Sequence, residues 1–448
     1  MRYSIVEYMG PSEEGTCGYC HQERSMSAVI GMWAPALAVS HYNGLLDRGM
    51  RRSGRYLYKP IIEKTCCPQY TIRLDVHRFK LSRTQKRVLR YMNEYLLYDK
   101  KPKYHTGEEA AETSVRYMQK RTENIEKDKQ KCISQKHDEV PSALHTKNLK
   151  KKNLRKQRAI ERLKKKGIDV EEFQCRRREK EFARQRTLES YLLDYDENKF
   201  RHKLEIRLIR VDSEEFNSTF RESYELFVKY QTTVHKQTDC TEKGYRSFLA
   251  NSPLFSDEEK SSAPKSVELG SYHQQYILDG KIIAVGVVDI LPRCFSAKYF
   301  YYDPDYMFLS LGTYSALREI AFVRELAKER PALHYYYMGY YIVTCPKMRY
   351  KGRFRPADLL CDVSFTWVPL EDCLKRLKES GENAPAFNPN AERPPRFPVE
   401  QVRCLYNGKL MSYYTLCQQP DFKETQNFME DYALLVGPLA GEMVLYRW

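Results

Sequence analysis

Long hydrophobic runs are missing from this 448-residue sequence. The longest apolar stretch, Ile282 to Val288, is far shorter than a bilayer span. The opening MRYSIVEYMG has no uninterrupted apolar run after a basic start, so neither membrane insertion nor export is expected. Phosphate-cradling loops are missing too. No G-x-x-x-x-G-K-[ST] or G-x-G-x-x-G string occurs, so ATP and NAD are not expected. Nor is there a G-x-S-x-G elbow or an H-E-x-x-H helix. Any chemistry must start from a donor that is already activated.

Positive charge, cysteine and tyrosine are plentiful. Lys and Arg number 75 against 59 Asp and Glu, a net charge of +16 that attracts polyanions, RNA or DNA being the usual ones. Between Lys147 and Arg186 stand 17 basic and 6 acidic residues, so roughly two thirds of that excess is local. Thirteen cysteines in a chain with no export signal are expected to be reduced, buried or metal-bound. The 35 tyrosines each join an apolar ring to a polar tip.

Composition divides the chain into residues 1–98, a Cys-bearing N-terminal domain; 99–200, a basic linker or insert, partly helical or disordered; and 201–448, a denser mixed α/β domain with a C-terminal extension. Helical spacing marks 85–97 through Val88, Tyr91, Met92 and Tyr95, and 213–232 through Phe216, Phe220, Tyr224 and Phe227. Helix formers from Leu154 to Leu193 allow a long basic helix. Leu204–Val211 alternates as a strand does. Asp279-Gly280 between two strand-like runs reads as a two-residue hairpin turn. A strand at 297–302, a helix at 313–328 and a strand at 333–343 follow.

Four groups could carry chemistry. Cys17-Gly-Tyr-Cys20 with Cys66-Cys67 offers four thiolates for zinc or an iron–sulfur cluster, with a redox dithiol and inert cysteines as alternatives. Cys17-Gly-Tyr-Cys20-His21 also fits the C-x-x-C-H haem pattern. Asp47–Tyr56 packs four arginines between glycines, a shaped anion site or a solvated loop. In the hairpin, a turn at 279–280 pairs 278 with 281, which sets His273 opposite Gly286 and puts Tyr272, Gln274 and Asp289 on the other face. Gly286 points to a close approach, and Asp289 in an apolar strand must be paired or sit at a site. Lys347–Arg355, if extended, projects Lys347, Arg349, Lys351, Arg353 and Arg355 to one side, a ribbon for phosphates or a charged edge strand.

Several of these strings, in order, resemble the eukaryotic arginyl-tRNA–protein transferases. The resemblance rests on Cys17–Cys20, Gly31-Met-Trp-Ala34, Asp47–Gly54, Thr65–Arg73, Gly270–Tyr276, Ala284–Pro292, Tyr302-Asp-Pro304, Ser310-Leu-Gly312 and Cys345–Lys351. Met50 stands where that family leads one to expect an aromatic residue. The resemblance implies a GNAT-type acyltransferase fold. It further implies transfer of arginine from arginyl-tRNA to the α-amine of proteins beginning with Asp, Glu or oxidised Cys, which marks them for ubiquitin-dependent degradation. It matches Cys17, Cys20, Cys66 and Cys67 to the family's cluster, to which iron–sulfur, zinc and haem-linked roles have been assigned. Implied partners are arginyl-tRNA, proteins with acidic N-termini and ubiquitin ligases of the N-degron pathway, in the cytoplasm, with the nucleus as a further option.

An aminoacyl ester needs no ATP, but the attacking amine, with a pKa near ~7.7–8, must lose a proton. Asp289 or Tyr272 is nominated to orient it or accept that proton. Arg51, Arg52, His273, Gln274 and Lys347 are nominated for the acidic substrate. The ribbon residues Arg349, Lys351, Arg353 and Arg355, with Lys150, Lys151 and Lys152, are nominated for tRNA. The register places His273 and Asp289 on opposite faces, so a β-bulge, or a ligand that crosses the strand end, is needed to join them. Two rival readings are an acetyl-CoA-dependent N-acetyltransferase, whose usual R/Q-x-x-G-x-G/A loop is absent, and a zinc-dependent RNA- or chromatin-binding protein.

Overall fold

The elements form for local reasons that the sequence announces. After a first helix, α1 (Val39–Leu46), Ser82 caps helix α2 (Arg83–Tyr98) reciprocally with Gln85, and the buried face is Leu89, Met92, Tyr95 and Leu96. Ser213 caps α3 (Glu214–Tyr230), which buries Phe216, Phe220 and Phe227, each worth about 1.5–3 kcal/mol of transfer free energy. In α4 (Leu311–Glu329) the inward residues include Leu317, Ile320, Ala321 and Leu326. These statements refer to a computed structural model that describes residues 2–20, 26–102, 186–258, 265–380, 386–419 and 425–447, with Phe422 and scattered positions between 158 and 173. Lys150, Lys151, Lys152, His21 and most of the expected basic helix lie outside the described residues.

Residues 1–101 and 192–448 form one compact unit and residues 102–191 another. In the second unit Arg158, Ile160–Arg162, Lys165, Glu171 and Phe173 are helical. The first unit is mixed α/β and holds two eight-stranded sheets. One runs in the order β15 (Lys409–Ser412), β14 (Arg403–Tyr406), β16 (Val444–Arg447), β1 (Ile5–Gly15), β2 (Ser27–Ala38), β4 (Tyr56–Pro60), β3 (Arg51–Ser53), with β7 (Leu254–Phe255) beside β2. The other runs β13 (Trp367–Pro369), β12 (Asp358–Leu360), β5 (Tyr70–Asp75), β11 (Tyr335–Tyr341), β10 (Cys294–Tyr302), β9 (Lys281–Ile290), β8 (Gly270–Leu278), β6 (Leu204–Arg210). The sheets interleave along the chain: β5 comes from the N-terminal hundred residues, and β14–β16 return from the far end to flank β1. Among the described residues, no helix is long and apolar enough to cross a membrane.

Asp279 and Gly280 both have positive φ, the mark of the expected tight turn. The register beyond it differs from the expected one. A bulge at Ile283 shifts the pairing, so His273 opposes Val287, Gln274 opposes Gly286 and Ser271 opposes Asp289. Directly opposed residues share a face, so Asp289 lies with Ser271 and His273, and Tyr272 and Gln274 lie on the reverse. On the Asp289 face, Ile209, Val285, Val287 and Tyr301 pack with the three buried phenylalanines of α3. The reverse face meets α4, where Phe295 and Phe322 approach at 6.2 Å.

Residues 346–353 are not extended. Pro346 starts a helical turn (Pro346–Arg349) that passes into a 3-10 turn (Tyr350–Arg353). Pro is suited to a first helical position, and Lys, Met and Arg favour helix, so the alternation of cations is not a strand pattern here.

Candidate active site at the parting of two parallel strands

β10 and β11 pair in parallel only over Cys294–Ser296 and Tyr335–Tyr337. Beyond that, β10 runs on to Tyr302 and β11 to Tyr341 without pairing each other. A bulge in β11 at Gly339, whose φ is +69°, accompanies the separation.

On one side is a buried ion pair. Arg52, on β3, donates from Nε to Asp289 Oδ2 at 2.9 Å and from Nη2 to Asp289 Oδ1 at 2.5 Å. It also donates to Ser271 Oγ and to the Gly54 carbonyl, both at 2.8 Å, so four of its five donors are committed. A Cβ at Gly54 would run into the Ser247 carbonyl oxygen, and φ there is +59°, so this turn requires glycine. Burial opposes ionisation of Asp289, but Arg52, Lys298 and the Ser271 hydroxyl outweigh it and hold the carboxyl below the usual range. Asp289 is thus a fixed anion joining the two sheets, and its geometry does not suit it to accept a substrate proton.

His273 is fully buried, with its ring edge-on to Phe216 at 5.0 Å. Its Nε2 donates to the Leu249 carbonyl at 3.1 Å, which fixes the tautomer. Burial lowers its pKa to about 4, so it is neutral at pH 7 and cannot act there as a cation for an acidic substrate. Tyr272 is turned away and donates to the Glu268 carbonyl at 2.8 Å. Gln274, on the reverse face, accepts from Tyr276 at 2.8 Å.

Arg51 meets the opening from β3. Buried, it donates to the Met50 carbonyl at 2.7 Å and the Gly339 carbonyl at 3.4 Å, with its guanidinium over the rings of Tyr337 and Tyr340. Its Nε has no partner. Lys351, expected on an exposed ribbon, points inward, and its Nζ donates to the Tyr340 carbonyl at 2.8 Å. Burial and Arg51 lower it to about 7. Lys347, Arg349, Arg353 and Arg355 are exposed. Arg355 pairs with Glu371 at 2.9 Å, and Lys347 lies close enough to His235 to lower that imidazole further after burial.

Two groups escaped the sequence reading. Lys298 is the bulged residue of β10, between Ala297 and Tyr299. Its Nζ is inaccessible and without a hydrogen bond, and burial and Arg52, against Asp289, lower it to about 7. A single Lys inside Phe295–Tyr302 was the available signal. Glu319, on α4, is 2% exposed, and burial raises its carboxyl to about 7 against a hydrogen bond from Tyr336. It stands three, four and seven residues from Ala316, Val323 and Leu326, all buried, which marks the inward face.

The four cysteines Cys17, Cys20, Cys66 and Cys67 converge, with all sulfurs within 4.8 Å of one another. Burial raises the Cys17 thiol, but backbone donors of Cys20 and Tyr19 and the neighbouring thiols bring it below its usual value. Burial and those neighbours push Cys67 up to about 12. Four thiols crowded together without counter-charge fit a metal site. The group packs on Ile342, Cys345 and Met348, at the end of β11 and in the turn that carries Lys347.

A groove of about 380 Å³, lined by Asp257, Glu258, Lys265, Glu329 and Arg330 among others, contains none of the nominated residues.

Comparison with known proteins follows the same segments. The family described as arginine-tRNA-protein transferase, N terminus, matches residues 15–87, and its C-terminal counterpart matches 222–361. The chain is 35% identical to arginyl-tRNA–protein transferase 1 of Drosophila melanogaster over the full length of both. It is 34% identical to arginyl-tRNA–protein transferase 2 of Arabidopsis thaliana, over 82% of this chain and 75% of that one. It is also 42% identical to an aspartate/glutamate leucyltransferase of Pseudomonas aeruginosa, over 21% of this chain and 38% of the relative.

Proposed function

The chain belongs to the arginyl-tRNA–protein transferase family, and from that premise we propose that it transfers arginine from arginyl-tRNA to the α-amine of proteins beginning with Asp, Glu or oxidised Cys, at the parting of β10 and β11. The amine nitrogen bonds to the arginyl carbonyl carbon and the ester bond to the terminal ribose breaks. The amine loses a proton and the ribose oxygen gains one. The observation that carries the reading is the meeting of Arg51 and Lys351 at Gly339 and Tyr340, two cations without acidic partners among the described residues where two parallel strands separate, with Lys298 Nζ inaccessible and without a hydrogen bond beside the neighbouring Arg52–Asp289 pair. The strand order β6-β8-β9-β10-β11, with α4 as the crossover into a parallel and then diverging pair, supports a GNAT-type fold.

Arg51, with an unpartnered Nε and a guanidinium over two tyrosine rings, suits the carboxylate of the substrate's first residue. Lys298 suits the proton acceptor, because an amine titrating near 7 is partly free base at neutral pH. Arg52 and Asp289 position β3 so that Arg51 reaches β11. The exposed Lys347, Arg349 and Arg353, with the basic insert around Lys150–Lys152, suit the tRNA backbone. Beyond the reaction, family membership supports ubiquitin ligases as partners and a cytoplasmic or nuclear location.

For the metal, the sulfur spacing supports a single tetrahedral ion such as zinc. Bonds of about 2.3 Å at tetrahedral angles set sulfurs ~3.8 Å apart, compatible with a group contained within 4.8 Å, whereas a multi-iron cluster spreads its ligands wider. Such an ion would tie the Cys17–Cys20 loop to the Cys66-Cys67 segment that leads into β5.

The test is transfer of labelled arginine from arginyl-tRNA to peptides that differ only in their first residue, without ATP. Incorporation into Asp- and Glu-initiated peptides, well above a Ser-initiated one, is expected. Acetylation of the same amines from acetyl-CoA, with no arginine incorporation, would favour the rival enzyme.

A further inference from the structure

Glu319 is a buried acid with no cation. Tyr336 donates to its Oε2 at 2.5 Å, and among the described residues no Lys or Arg pairs with it. A carboxyl in such a place costs free energy unless a positive group joins it. Its surroundings are aromatic. Tyr276, Tyr336 and Tyr350 all have hydroxyls raised partly by the Glu319 charge, which places them around it. Tyr276 and Phe300 meet edge-to-face at 6.1 Å.

Across from the carboxyl the sheet has no side chain. A Cβ at Gly286 would lie 3.2 Å from Glu319 Oε1 and 3.8 Å from both Phe300 and the Gln274 Cβ. This is the close approach that a glycine in the middle of β9 announces. The place adjoins the parting of β10 and β11, since Phe300 lies on β10 beyond its last pairing and Tyr336 on β11 within it. Tyr350, whose hydroxyl feels the Glu319 charge, is 38% exposed.

We propose that Glu319 and the aromatic rings around it form the subsite that receives the guanidinium of the arginine being transferred. This rests on the reading that arginyl-tRNA is the donor. A planar, weakly hydrated cation that stacks on rings and bonds a carboxylate through two donors suits this lining better than a compact ammonium does. The site thus reads the donor's side chain from the α4 face, and Arg51 and Lys298 handle the acceptor from the other face.

The test uses the full chain and tRNA aminoacylated with arginine or with citrulline, its neutral isostere. The wild-type protein is expected to prefer arginine by at least about 100-fold in kcat/KM, as sites built for a charged hydrogen-bonding partner do. Glu319→Gln keeps the shape and an acceptor for Tyr336, and is expected to bring the two donors within a few-fold. Gly286→Ala narrows the same space from β9, and is expected to raise KM for arginyl-tRNA and leave KM for the acceptor peptide unchanged. Retained preference in Glu319→Gln, or, where that variant does not fold, an unchanged arginyl-tRNA KM in Gly286→Ala, overturns the subsite. Failure of the wild type to transfer arginine at all overturns the donor assignment itself, a separable result.

Discussion

Removing either member of the Arg52–Asp289 pair should destabilise the protein far more than removing both. The side chains are 1% and 0% exposed, and the carboxylate takes two bonds from the guanidinium and one from Ser271 at 2.8 Å. Asp289→Leu leaves a buried guanidinium without its anion, and Arg52→Met leaves a buried carboxylate without its cation. Each should cost about 3–5 kcal/mol, a hundred- to several-thousand-fold shift in the folding equilibrium. The double variant Arg52→Met/Asp289→Leu replaces the pair by apolar groups of similar volume and should recover most of that loss. Urea unfolding followed by circular dichroism gives the four corners of the cycle, with a coupling energy expected above about 2 kcal/mol. Single variants that cost less than about 1 kcal/mol, or additive losses in the double, would refute the idea that this pair holds β3 on β9. The double variant should also retain measurable transfer, because the pair positions Arg51 and does not itself touch substrate.

Three other outcomes follow. Lys298→Met should abolish the rise of kcat/KM through pH 7; because burial lowers the wild-type amine from its usual value to about 7, the folded chain holds fewer protons than the unfolded one between about pH 7 and 10.5, so wild-type stability climbs over that window and the variant's does not. An unchanged pH–rate profile would remove Lys298 from catalysis. Purified protein should carry one tetrahedral metal ion per chain, lost in Cys67→Ser and kept in Cys345→Ser; elemental analysis that finds several irons per chain contradicts the spacing argument. Arg349→Ala/Arg353→Ala should weaken tRNA binding and flatten the slope of log affinity against log salt by about 1.5, and an unchanged slope places the tRNA elsewhere.

What the sequence revealed, and what it hid, has a common physical basis. Periodicity located α2, α3 and α4 to within a few residues, and Asp279-Gly280 located the hairpin, because these are local signals. The face on which Asp289 stands depended on one extra residue at Ile283, which no turn rule predicts, and that bulge reversed the expected grouping of Tyr272, Gln274 and His273. Tertiary context also decided Lys351. Its alternation with other cations looked like a ribbon, but a proline-initiated turn carries its amine inward to Tyr340. The four cysteines were legible because their chemistry depends on residue type. Lys298 and Glu319 were not, because what distinguishes them is the lack of a partner, and a sequence does not display partners.

The central claim is that acyl transfer takes place where β10 and β11 separate. A structure determined with a hydrolysis-resistant arginyl-adenosine mimic of the tRNA 3′ end tests it directly. The account predicts the arginyl carbonyl lodged between β10 and β11 near Gly339, with its guanidinium against Glu319. A mimic bound in the groove lined by Glu258, Lys265 and Arg330, with the space beside Gly339 unchanged, would contradict it.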